Sequence, residues 1–326
     1  MSRQEIRVVC IDKHSFESDP TFAGPTYVPL FGKVPGLLST EFRRLRKGNF
    51  DLVVGVGGGY LRASGLLETL KFILAHLPQV RLASKAKRTV YLPQSFGPFR
   101  GFLRFYLRRQ TRTFSRIFLR DDRSLNEYGG ANGVRAADSV VSSVVMNREV
   151  RESNSDLVVS VRGLARRSLQ LTSLASSLRN LSPKLYIQSS GRGNDDANFS
   201  KSLFPESEII SSSEFLTEKN PAKVVLAVRL HAALLALEAG HYVVHLAYER
   251  KGFGAFNDLG LGQYVFNVFD FDPKKVMALL TELRTSLSAR GEYDSKIEKS
   301  RATTSVKVTT DMVQQIKVMI RESDNE

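Results

Sequence analysis

A single cysteine, Cys10, occurs in 326 residues, which excludes an internal disulfide and a thiolate metal cluster built by one chain. It lies in the apolar run Val8–Ile11 and reads as a packing residue. Long apolar runs are missing too: Val224–Val228 and Leu234–Leu237 fall far short of the roughly 18 to 20 residues of a membrane span. The opening residues, Met1-Ser-Arg-Gln-Glu-Ile-Arg, lack the apolar stretch and small-residue cleavage site of a secretory signal. A cytoplasmic protein is the expectation. Zinc-finger spacing, an aromatic RNP-like strand and heptads after a basic region are all absent, so nucleic acid is not an expected partner. The five histidines show no ligand spacing with carboxylates, and no metal is expected.

Acidic residues are in the minority, 33 against 47 lysines and arginines, for a formal charge of +14. That excess points to an anionic partner: nucleic acid, an anionic membrane surface or a phosphorylated small molecule. Arg100, Arg104, Arg108, Arg112 and Arg116 recur at four-residue intervals over a stretch that reads as one amphipathic helix. Two readings stay open for that stripe. It is either a solvated face balanced by acids elsewhere, or a contact with anionic lipid head groups that holds the protein at the inner face of a membrane.

With 42% hydrophobic and 25% charged residues, the composition is that of a globular protein with two domains of usual size. Strand-like and helix-like stretches alternate, the pattern of an α/β fold with parallel sheets. Strands are expected at Val8–Ile11, Asp51–Val56, Thr89–Leu92 and Ile117–Leu119, with helices over Ser39–Lys47 and Leu66–His76. The polar stretch Asn147–Asp156 reads as a linker, dividing the chain into 1–150 and 151–326. The second series comprises strands at Leu157–Val161, Lys184–Gln188, Val224–Val228 and Tyr242–Leu246, with helices near Leu169–Leu181 and Leu230–Ala239. Ser189–Asn198 reads as a loop, and the tail after Leu283 as polar with one helix near Met312–Ile320.

Ligands of open α/β sheets bind beyond the carboxyl ends of the strands. Gly57-Gly58-Gly59 follows one such strand and admits close backbone approach, though a tight turn needs the same glycines. Leu92–Pro98 reads as a stiff loop presenting Gln94 and Ser95 to hydroxyls. In Leu119-Arg120-Asp121-Asp122-Arg123-Ser124, Asp122 or Ser124 reads as a helix cap. The apolar strand Val224–Val228 stops on Arg229-Leu230-His231, and Leu157–Val161 stops on Arg162. Two strand-terminal arginines and a histidine near a helix N-terminus suit an anion such as phosphate.

These segments stand in a fixed order: Asp-Leu-Val-Val-Gly-Val-Gly-Gly-Gly, Pro-Gln-Ser-Phe-Gly-Pro, Arg-Asp-Asp-Arg-Ser, Ser-Val-Arg, Val-Arg-Leu-His-Ala and Ala-Tyr-Glu-Arg-Lys-Gly. From Asp51 to Leu261 the chain thereby resembles the polysaccharide pyruvyl transferases. The resemblance implies two Rossmann-like domains facing a cleft, as in GT-B glycosyltransferases. It further implies phosphoenolpyruvate as donor substrate, no other cofactor, and a sugar of a polysaccharide or lipid-linked glycan as acceptor. Arg162, Arg229, Leu230 and His231 match the donor site, with Arg229 and His231 in the chemistry and Tyr248 and Lys251 in a following segment. Gly58, Gly59, Gln94 and Ser95 fall on the acceptor side. The chain departs from the family at Asp12-Lys13-His14-Ser15-Phe16, where members carry a Gly-Asn-x-Gly-Asp-like loop. A nucleotide-sugar glycosyltransferase or a non-catalytic protein on an anionic surface would share much of this pattern.

Overall fold

The computed structural model describes residues 6–10, 25–32, 37–99, 101–164, 166, 168–189, 196–217 and 221–323. It divides into two compact units, the first comprising the described residues up to Ala136 with those from Thr310 onward, the second Ala137–Thr309.

In the first unit, β1 (Arg7–Cys10) and β2 (Thr26–Pro29) form a parallel pair. Helix α1 (Thr40–Leu45) buries Phe42 and Leu45 and begins where the Ser39 hydroxyl accepts the Phe42 N–H. The main sheet has the order β3 (Leu52–Gly55), β5 (Arg88–Phe99), β6 (Arg116–Leu119), β7 (Gly133–Arg135), all parallel, with β4 (Gly58–Ala63) also on β5. Leu92–Pro98, expected as a loop, is strand. β3 pairs with the first part of β5 and β4 with the rest, at Gly58↔Gln94, Leu61↔Phe96 and Ala63↔Phe99. A proline-rich segment survives there because β4 supplies it with an irregular, bulged partner.

A continuous helical run follows β4, with α2 (Leu66–Lys71), a π-helical turn (Phe72–His76) and α3 (Leu77–Ala83). Helix α4 covers only Phe102–Thr111. The five-arginine stripe is therefore not one helical face: Arg100 lies outside the described residues, Arg112 caps the helix, and Arg116 opens β6. The helix ends because Asn132 takes the Thr111 and Phe114 carbonyls at 2.9 and 2.8 Å, turning the chain into β6. Arg104 pairs with Glu127 at 3.2 Å and Arg108 donates to the Gly129 carbonyl. Helix α5 (Asp122–Tyr128) is capped by Asp121, which accepts the Ser124 N–H at 2.8 Å, rather than by Asp122 or Ser124.

The second unit opens with α6 (Ser139–Asn147), whose Val141, Val144 and Val145 join its core. Its sheet is wholly parallel in the order β10 (Ile209–Ile210), β9 (Lys184–Tyr186), β8 (Ser153–Ser160), β11 (Ala222–Ala227), β12 (Tyr242–Ala247), β13 (Val265–Asn267). Every residue of β11 and β12 is buried, as expected of central strands covered on both faces. The helices are α7 (Leu169–Leu178), α8 (Asp196–Leu203), α9 (Ser212–Leu216), α10 (Leu230–Glu238), α11 (Arg250–Asp258), α12 (Pro273–Thr285) and α13 (Leu287–Ser300); α14 (Thr304–Ser323) begins in this unit and has most of its residues in the first. The stretch expected as a linker is structured instead. Arg148 donates to the Leu237 and His241 carbonyls and pairs with Asp294 at 2.8 Å, so its polar groups are satisfied inside the unit. The contacts accordingly divide the chain after Ala136 rather than at 150. Among the described residues no helix is long and apolar enough to cross a membrane.

Candidate functional site

Two clusters of side chains stand out, one in each unit. In the second unit, Ser160 of β8 is level with Ala227 of β11, which is level with His245 of β12. Arg162 and Arg229 each stand two residues past that line on neighbouring parallel strands, and Tyr248 three past it on the next. Arg162 donates to the Tyr248 hydroxyl at 2.9 Å and lies over its ring, 5.1 Å from the centroid. Tyr248 thereby holds the guanidinium at the strand edge.

Arg229 is the N-cap residue of α10. Its Nε and Nη2 donate to both oxygens of Asp196, whose carboxylate is buried. This fork fixes the guanidinium plane and leaves the remaining N–H donors for an anion. Leu230 packs its side chain into the core, so what it can offer a ligand is the N–H of the helix's first turn. His231, in that same turn, is exposed. Lys251, in the first turn of α11, pairs with Glu249 at 3.1 Å. Behind this edge the buried His245 donates from Nδ1 to the Ala227 carbonyl at 2.9 Å and stacks on Phe256. Burial pulls its pKa down to about 4, so a neutral ring supports the end of β11.

In the first unit the register places Gly58 beside Gln94. Gly57 permits this approach, since a Cβ there would sit 2.5 Å from the Pro93 carbonyl oxygen. Gln94 is 0% exposed, and neither amide atom has a hydrogen-bond partner among the described residues. Arg120 donates from Nε to the Ser95 hydroxyl at 2.8 Å, and its Nη2 would lie 3.4 Å from a Cβ on the exposed Gly59. Gly58, Gly59, Gln94 and Ser95 thus form one cluster with Arg120 as an added cation. The divergent segment Asp12–Phe16 lies outside the described residues.

Sequence reasoning missed Asp196 and left Arg120 without a role. Asp196 lies within Ser189–Asn198, the Ser, Gly, Asn and Asp-rich segment read as a loop, whose last residues are helical. The signal available was an acidic residue opening the amphipathic α8, Asp196–Leu203.

The profile of the polysaccharide pyruvyl transferase family matches residues 6–250. Among curated proteins none matches the sequence. Among solved structures, the UDP-GlcNAc 2-epimerase of Neisseria meningitidis, bound to UDP-GlcNAc, is similar with TM-score 0.53 at 10% identity, over 95% of this chain and 91% of that one. An O-GlcNAc transferase mutant of Thermobaculum terrenum gives TM-score 0.49 at 13% identity over 98% of this chain, which spans 62% of that protein. The glycosyltransferase of kitacinnamycin gives 0.47 at 12% identity, over 95% of this chain and 91% of that one. At such identities the likeness concerns the fold alone: two Rossmann-like α/β units of the GT-B class.

Proposed function

Because the chain belongs to the polysaccharide pyruvyl transferase family, we propose that it moves the enolpyruvyl group of phosphoenolpyruvate onto two hydroxyls of a sugar, in a polysaccharide or lipid-linked glycan, as a cyclic ketal. The observation that carries this reading is the register of the second sheet, which sets Arg162 and Arg229 at one level beyond adjacent strands, with His231 on the helix that Arg229 begins. Two guanidiniums suit a donor with both a phosphate and a carboxylate.

In the proposed reaction His231 gives a proton to the methylene carbon, and positive charge develops at the adjacent carbon bearing phosphate. One sugar hydroxyl bonds to that carbon, the bond from it to the phosphate oxygen breaks, and a second hydroxyl closes the ring. Of the two hydroxyl protons released, one restores His231 and the other leaves on phosphate. Arg162 and Arg229 orient the donor and offset the charge on the departing phosphate. Gly58, Gly59, Gln94 and Ser95 supply backbone approach and neutral hydrogen-bonding groups suited to acceptor hydroxyls, with Arg120 beside them. The scheme uses no cofactor besides the donor, and it proceeds on the cytoplasmic side, where the donor is available.

Thermal unfolding with phosphoenolpyruvate, and with UDP, phosphate and pyruvate as controls, tests the donor site. At about a hundredfold excess over Kd the donor should add about 2.7 kcal/mol, a gain that Arg229→Ala abolishes. Because that variant leaves buried Asp196 without its partner, Arg162→Ala is the companion test. His231→Ala should keep the stabilisation and lose phosphate release. Stabilisation by UDP alone would transfer the assignment to a nucleotide-sugar glycosyltransferase.

A further inference from the structure

Leu66, Leu67, Leu70, Ile73 and Leu74 recur at helical spacing, yet each is between 40% and 87% exposed. The same run buries Phe72 and Ala75 on its inner side. A surface helix ordinarily turns one apolar stripe to the core; this one carries a second stripe facing outward. Helix α4 repeats the feature, with Phe102 75% and Phe105 65% exposed. At about 100° per residue, Phe102, Phe105, Arg109 and Arg112 share one narrow face, and all four are exposed.

The two helical stretches lie side by side and run the same way. Phe72 packs edge-on against Phe99, just ahead of α4, Arg81 donates to the Tyr106 hydroxyl at 2.7 Å, and Ser84 donates to the Gln110 side chain at 3.0 Å. Their apolar ends therefore coincide, and so do their basic ends. At the basic end Arg46, Arg81, Lys85, Tyr106 and Gln110 line a cavity of about 230 Å³ whose wall, among the described residues, has no carboxylate.

We propose that this part of the first unit docks on an anionic phospholipid bilayer. The leucine, isoleucine and phenylalanine side chains enter the boundary between head groups and acyl chains, and the cavity of Arg46, Arg81 and Lys85 receives a lipid phosphate. Charge complementarity selects the lipid over a second copy of the chain. In a two-fold pair the patch meets itself, which sets this basic end against like charge or against the apolar tip. Of the arginine stripe read from sequence this contact shares Arg112 alone, since Arg104 and Arg108 turn toward Glu127 and Gly129. It does not rest on the donor-site reading.

Cosedimentation of the full chain with vesicles tests the proposal, comparing phosphatidylglycerol in phosphatidylcholine with phosphatidylcholine alone. Binding is expected only with phosphatidylglycerol. The pairs Arg81→Glu with Lys85→Glu, and Leu67→Ser with Leu70→Ser, should each weaken it about tenfold. Both pairs replace exposed residues and should melt like the wild type. His231→Ala should bind vesicles normally, which separates this surface from the chemistry. No binding, equal binding to both vesicles, or undiminished binding by the leucine pair would overturn the proposal. So would a dimer that the leucine substitutions dissolve in place of vesicle binding.

Discussion

Arg229 gives two of its N–H donors to Asp196, and that commitment sets the terms for its role. Removing one partner of a buried ion pair costs about 3–5 kcal/mol because the other charge stays desolvated. Asp196 therefore acts as a positioning group whose first effect is to fix where the guanidinium points. The buried histidines of the same unit have a different consequence. His241 accepts the Lys223 N–H on Nδ1 and donates from Nε2 to the Phe215 carbonyl. Burial first, then Arg151, Lys223 and Arg148, lower its pKa to about 4, partly opposed by the Phe215 bond. His245 is lowered to about 4 as well, by burial and then by Lys251, against its bond to Ala227. Both folded values lie below the unfolded value of about 6.5, so the unfolded chain binds more protons in between. Their stabilisation is complete above pH 6.5 and declines as pH falls toward 4. From pH 7 to pH 5 each histidine should remove about 2 kcal/mol, read as a fall in the urea midpoint; an unchanged midpoint would refute the neutral buried assignment.

Helix α11 meets β12 at the same edge, and the contact depends on Gly252. A Cβ there would lie 2.5 Å from His245 Nε2 and 2.9 Å from the Ala247 Cβ. Alanine is favoured over glycine within a helix by about 1 kcal/mol, but overpacking against a buried ring costs about 1–3 kcal/mol. Gly252→Ala should therefore lower the urea midpoint; a variant as stable as wild type would show that the helix can shift. Elements of this kind differ in how plainly sequence reports them. Val224–Val228 is an unbroken apolar run, and most of it folds into the buried central strand Ala222–Ala227, which ends two residues before Arg229. Leu92–Pro98 contains Pro93, Gly97 and Pro98, so local preference argued for a loop, and pairing with β4, with β6 also reaching Gln94, makes it strand. The arginine repeat extends past Thr111, but periodicity holds no record of the carbonyl capping by Asn132 that ends α4. Helix α13 went unread because it buries only Tyr293, Ile297 and Ser300 among charged neighbours. For the candidate site, Arg162, Arg229 and His231 were legible as residues at strand ends. Asp196 was not, because its partner is 33 positions away.

At the scale of the molecule, the described residues hold separate apolar cores. One is centred on Phe72, Phe96, Leu107 and Ile117, with a smaller one around Leu30 and Phe42; another runs through β8, β11 and β12. A ligand that binds only the native second unit stabilises that unit by mass action. Calorimetry of the full chain should therefore resolve two transitions, and phosphoenolpyruvate should raise just one of them. Acid supplies an independent way to tell which is which. His241 and His245 both lie in Ala137–Thr309, whereas the first unit holds one described histidine shifted by burial, His76. Moving from pH 7 to pH 5 should lower the donor-responsive transition more than the other. If the donor raises the transition that acid affects least, the anion site belongs with Gly59, Gln94 and Arg120, and Arg120→Ala, rather than Arg162→Ala, should abolish the response.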